Sequence, residues 1–122
     1  MSVSDPRLNL RPSIATQAAQ NPDEAFLHES LRPVLKLQND LLVDITRHFL
    51  KKRKVKWEQL NQQQRLQQIQ HSIGKDNRLR GLLFGCILGQ FTQTELDYYL
   101  NNESEINRRI SHLLVQRLED QL

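Results

Sequence analysis

The chain of 122 residues has one cysteine, Cys86. A lone cysteine excludes an intrachain disulfide and a zinc site built on paired thiolates. Glycine and proline are scarce, with 4 of each, and the prolines (Pro6, Pro12, Pro22 and Pro33) all lie in the first 33 residues. That excludes a collagen-like chain and argues against a β-protein, whose turns draw on both residue types. Long hydrophobic runs are also missing. The longest apolar stretch runs from Gly81 to Gly89, about half of what a bilayer-crossing helix needs. The N-terminal region holds no apolar core of signal-peptide length, so the expected location is the cytoplasm. There is no glycine-rich phosphate loop, no H-E-x-x-H and no nucleophile elbow. The expectation is a protein that is not an enzyme, with no catalytic residue, metal or cofactor.

What is present is polar and helix-compatible. Charged residues make up 25% and hydrophobic ones 38%, and the mean hydropathy is −0.63. Much of that polarity comes from 14 glutamines, which are neutral and good helix formers. Low hydropathy here does not mean disorder. A chain this long buries roughly two-thirds of its unfolded surface and needs no covalent staple.

The net charge of +3 hides an uneven distribution. Arg47, Lys51, Lys52, Arg53, Lys54 and Lys56 stand together with no acid between Asp44 and Glu58, which leaves the rest of the chain at −3. Trp57 follows directly. Dense cations beside an aromatic are what phosphate contacts and base stacking require. The same cluster would also sit well at a helix C-terminus.

Residues 1–21 lack periodicity and read as a flexible tail, with Leu8, Leu10 and Ile14 as its only docking groups. Residues 22–122 read as a single helical domain. Four pairs mark helix starts: Asn21 with Glu24, Asn61 with Gln64, Thr92 with Glu95, and Asn102 with Glu105. After the first start, Leu31, Val34, Leu35, Leu41, Leu42, Ile45 and Phe49 form a helical stripe with a polar gap at Gln38. Leu66, Ile69 and Ile73 mark a helix expected to stop at Gly74. Leu96, Tyr99 and Leu100 mark another, and Ile106, Ile110, Leu113, Leu114 and Leu118 the last. The predicted fold is all-α, a compact bundle of five or six helices with short connections.

Residues 77–90 stand apart. Leu79, Leu82, Leu83, Phe84, Cys86, Ile87 and Leu88 point in nearly every direction, so the segment reads as a central helix buried on all sides. Cys86 among them reads as core packing. Gly81, Gly85 and Gly89 recur at a spacing of four within it. Each glycine costs about 0.8–1 kcal/mol relative to alanine in a helix interior, so close approach of another backbone is expected there. That backbone belongs to a neighbouring helix of the same bundle, to a second subunit, or is replaced by a flat ligand.

Other patterns are weaker. Glu24/His28 and Asp44/His48 lie four apart on helices but lack the further carboxylates of a helical metal site. A helix–turn–helix over residues 95–118 would present Asn107, Arg108 and Arg109 to DNA, yet Glu103 and Glu105 would repel the phosphates. The resulting expectation is a small protein–protein interaction module, self-associating through Gly81, Gly85 and Gly89. The alternative is a nucleic-acid-associated protein using residues 47–57, and the third reading is a small-molecule binder along the glycine strip.

Overall fold

A computed structural model describes residues 5–12 and 21–122, and these are almost entirely helical. A single turn, α1, spans Pro6–Asn9. A continuous helical segment then runs from Pro22 to Leu37. It comprises α2 (Pro22–Phe26), a π turn (Leu27–Leu31) and α3 (Arg32–Leu37). There follow α4 (Asn39–Lys52), a 3₁₀ turn (Trp57–Gln59), α5 (Gln62–Lys75), α6 (Asn77–Leu88), α7 (Gln93–Asn101) and α8 (Glu103–Gln121). The all-α bundle expected from the capping pairs is the observed fold.

Three of the four capping pairs form. The Asn21 side chain accepts from the Glu24 N–H at 2.8 Å. Asn61/Gln64 and Thr92/Glu95 are reciprocal capping boxes. The fourth does not form: Asn102 donates instead to the Tyr98 carbonyl at 2.9 Å, which closes the end of α7 rather than opening α8. The predicted stop at Gly74 also fails. Gly74 is helical, and α5 runs on to Lys75. The chain turns at Asp76, whose extended backbone ends α5 and whose carboxylate accepts the Leu79 N–H at 3.0 Å.

The π turn answers Pro33. A proline inside a helix has no N–H and crowds the preceding turn. Here the Arg32 N–H reaches back five residues to the Leu27 carbonyl, and the extra residue relieves that crowding. The adjustment aims Phe26 at Phe91 and Tyr98, with ring centroids 5.5 and 4.9 Å away.

The core is built on Leu31, Val34, Leu35, Leu42, Ile69, Ile73, Leu79, Leu83, Ile87, Ile110, Leu114 and Leu118, each essentially fully buried. Helix α5 packs between α8 and α6, α4 lies on α6, and α7 folds back on α8. Gln38 donates to the Cys86 carbonyl at 3.0 Å, and Arg78 sits over the Phe49 ring. These two contacts make α4 and α6 antiparallel.

The long stripe predicted across residues 31–49 changes phase at Gln38. There the backbone leaves the helical region (φ −92°, ψ 7°). Beyond it Leu42, Val43, Thr46, Phe49 and Leu50 are buried, while Leu41 is 45% exposed. A stripe read as one straight helix put Leu41 inward and overlooked Val43 and Leu50.

Helix α6 corrects the expectation more sharply. It is not enclosed. Leu79, Leu83 and Ile87 form its buried edge, Phe84, Cys86 and Leu88 are half-buried, and Leu82 is 45% exposed. Gly81 and Gly85 lie on the side opposite Leu83, facing out.

Candidate functional site

Two features singled out by sequence can now be placed. The first is the glycine strip. A Cβ added at Gly81 or Gly85 would meet nothing within 4 Å, and at Gly89 it would come within 3.0 Å of the Gly85 carbonyl of the same helix. Among the described residues no neighbouring helix presses on Gly81 or Gly85, so the bundle holds no close crossing there. On the outward face Leu82 flanks the glycines on the α4 side and Phe84 and Leu88 on the other. The register set by the Gln38–Cys86 and Arg78–Phe49 contacts brings the exposed Leu41 of α4 level with the turn containing Leu82 and Gly85. A cavity of about 460 Å³ touches the strip at Gly81 alone, between Arg80, Phe84 and Arg108. Cys86 is half-buried, and burial pushes its thiol above the ordinary range. It remains a protonated, poor nucleophile.

The second is the basic cluster. Helix α4 ends in a Schellman motif: Val55 N–H bonds the Leu50 carbonyl at 3.0 Å and Lys54 N–H bonds the Lys51 carbonyl at 2.9 Å. The motif requires a left-handed residue at its centre, a role glycine usually fills. Here it is Lys54, with φ 59°. The turn splays the cations outward, and all six basic side chains are exposed. Two of them also hold the fold. Arg47 donates to the Gln121 carbonyl at 3.0 Å, and Arg53 donates to Ser72 at 2.5 Å. Among the described residues Lys51, Lys52, Lys54 and Lys56 have no hydrogen bond or ion pair from their ammonium groups. Arg47, Lys51, Lys56 and Trp57 line one cavity of about 480 Å³ floored by Leu50 and Val55. Trp57 packs partly into the core, and Arg65 covers its ring at 5.2 Å.

Sequence reasoning missed a third feature. Arg11, within the expected tail, reaches into the bundle. Its guanidinium meets both Glu95 oxygens at 2.7 Å and the Gln90 carbonyl at 2.5 Å. The two side chains are only 4% and 12% exposed. Burial alone would raise the Glu95 pKa, but hydrogen bonds from Arg11, Ser30 and Thr92, together with the Arg11 charge, bring it below the ordinary value. Leu8 and Leu10, the apolar residues expected to dock, are 43% and 61% exposed, and Ile14 lies outside the described residues.

Asn107, Arg108 and Arg109 do not form a free DNA-facing row. Asn107 accepts from Tyr99 Oη at 2.5 Å, and both arginines lie against Glu105. Among the described residues no three His, Cys, Asp or Glu side chains are grouped to hold a metal ion, and no helix is long and apolar enough to cross a membrane. Comparison with family models, curated proteins and solved structures finds no match to the chain.

Proposed function

We propose that the chain is a small, non-enzymatic interaction module that self-associates through the outward face of α6. One observation carries this reading: Gly81 and Gly85 face open space beside the exposed Leu82. Glycines in a helix interior cost about 0.8–1 kcal/mol each. Among the described residues no close contact offsets that cost at Gly81 or Gly85. A second α6 crossing on the strip would offset it, because bare backbone lets two helices approach closely. Leu82 and the half-buried Phe84 and Leu88 would then lose their remaining exposure.

Sedimentation velocity over a hundredfold concentration range tests this. A concentration-dependent dimer is expected, and Gly85→Leu should abolish it while leaving the helical content unchanged. A monomer at every concentration, or a dimer that survives Gly85→Leu, refutes it.

A second reading is favoured by the basic turn. Arg47, Lys51 and Lys56 line a cavity that contains Trp57, with Lys52 and Lys54 exposed nearby, a combination suited to a nucleic-acid backbone with one base set against the ring. If residues 47–57 bind phosphates, affinity should fall by about 0.9 log units per log unit of salt for each phosphate engaged. Replacing Lys51, Lys52 and Lys54 by Gln should remove that dependence. Salt-independent binding, or none at low ionic strength, eliminates the reading.

A further inference from the structure

A cavity of about 470 Å³ lies on another face, between the π turn and α8. Arg32, Arg108, Arg109 and His112 line it, with Leu27 and Leu113 as apolar walls. Leu27 and Arg32 are remote in sequence from the α8 residues, and only the fold brings the two segments together. The π turn has a direct part in this. By bonding the Arg32 N–H to the Leu27 carbonyl, it sets one cationic and one apolar wall residue at its two ends. Such turns often sit at functional sites.

The charge around this cavity is unbalanced. Among the described residues Arg108 and Arg109 share one ion-pair partner, Glu105. Arg108 lies at 2.8 Å and Arg109 at 3.5 Å from the same oxygen. Arg109 Nε, the atom that faces Glu105, is buried and makes no hydrogen bond at that distance. Among the described residues neither Arg32 nor His112 has an ion pair. Arg117 lies next along α8, where burial first and then the charge of Arg32 lower its pKa, against a smaller pull from Asp120. A fold that gathers like charges in this way sacrifices stability, and a bound anion would restore it.

We propose that this cavity binds a soluble small molecule bearing a diphosphate, or two adjacent phosphates, on a compact apolar body. Guanidinium forks match phosphate oxygens in pairs. Three forks around one space exceed what a single carboxylate can engage. The volume falls within the range of small-molecule sites, and Leu27 and Leu113 would contact the uncharged part.

The test is a calorimetric titration of the full chain with inorganic pyrophosphate at constant ionic strength, against matched sodium chloride. Saturable one-to-one binding is expected. Arg32→Gln and Arg109→Gln should each weaken it about tenfold, the worth of one charge-assisted hydrogen bond. Lys51→Gln/Lys52→Gln, on the other basic surface, should leave it within twofold. Arg32 is exposed, so its variant should keep the wild-type circular dichroism and melt higher, as the repulsion with Arg117 is relieved. Titration of the unmodified protein decides the matter even if a variant misfolds. The proposal is overturned by absence of saturable binding, or by equal loss in the lysine variant. It is also overturned if pyrophosphate is inert while a single-stranded oligonucleotide or vesicles of an anionic phospholipid bind in an Arg32-dependent way.

Discussion

Removing the Arg11 side chain should loosen the bundle, by an amount the geometry allows to be worked out. The ion pair it makes with Glu95 is bidentate and nearly free of solvent. Charge-assisted hydrogen bonds contribute about 1.5–3 kcal/mol net when desolvated. Losing a partner from a buried pair costs about 3–5 kcal/mol when the survivor stays buried. Glu95 does not stay buried. Apart from those of Arg11, no hydrogen bond or ion pair among the described residues ties residues 5–12 to the bundle, Leu8 and Leu10 are exposed, and the Asp5–Arg7 pair is internal to the segment. The segment can swing away, regain its conformational freedom and admit water to the carboxylate. Arg11→Ala should therefore cost about 1–2 kcal/mol. At about 2.1 cal/mol/K of unfolding entropy per residue, this corresponds to a fall of roughly 4–8 °C in Tm. Deleting residues 1–12 should cost the same, because Arg11 is the anchor. Glu95→Gln should cost a similar amount but preserve the cap, whereas Glu95→Ala should cost about 1 kcal/mol more by losing its bond to the Thr92 N–H as well. Thermal and urea melts at fixed pH, run as a double-mutant cycle, measure the coupling directly. A coupling below about 0.5 kcal/mol, or a deletion far more damaging than Arg11→Ala, would refute the clamp.

Acid should act through the same carboxylate. Because the folded-state pKa of Glu95 lies below its ordinary 4.5, the stabilisation is fully present above that value and is lost as pH falls through the folded value. The Arg11→Ala penalty should accordingly shrink in melts taken progressively below pH 4.5. Lys54→Gly should raise stability by about 0.5–1 kcal/mol, since glycine adopts the left-handed conformation without the Cβ penalty; a loss in urea melts would contradict this. Gly85→Ala should stabilise the dilute, monomeric chain by up to about 1 kcal/mol, because the added methyl meets open space. Destabilisation at a concentration where sedimentation shows monomer would rule out that open face.

Local signals in the sequence decided the fold class. Asn21, Asn61 and Thr92 start helices because their side chains accept N–H groups only a few residues away, information contained within each segment. What the sequence concealed was nonlocal. The apolar residues around α6 suggested enclosure, yet periodicity cannot say whether a partner exists for each face, and Leu82 stays 45% exposed among the described residues. Gly74 looked like a terminus, but the extended turn at Asp76 ends the helix instead. The stripe through residues 31–49 was continuous on paper, and only the backbone at Gln38 shifts its phase. Of the candidate sites, the lysine cluster was legible because it is contiguous, and the glycine strip because of its spacing. Arg11 and the Arg32 cavity were not. Each depends on a cation meeting a surface assembled from distant helices, and nothing beside it in the chain announces that meeting.

The π turn at Leu27–Leu31 has a consequence for how this helix tolerates changes in length. It holds one residue more than an α-helical path would need, and the turn absorbs that residue so that the helix on its two sides keeps nearly one phase. Deleting a single residue there, such as Glu29, would let the path close into a regular α-helix while leaving the segments on its two sides close to their present phase. Phe26 would still face Phe91 and Tyr98, but the ring of Pro33 would again crowd the carbonyl one α-turn before it. A one-residue deletion in this turn would thus act through the backbone beside Pro33, leaving the placement of the helical arm before it largely intact.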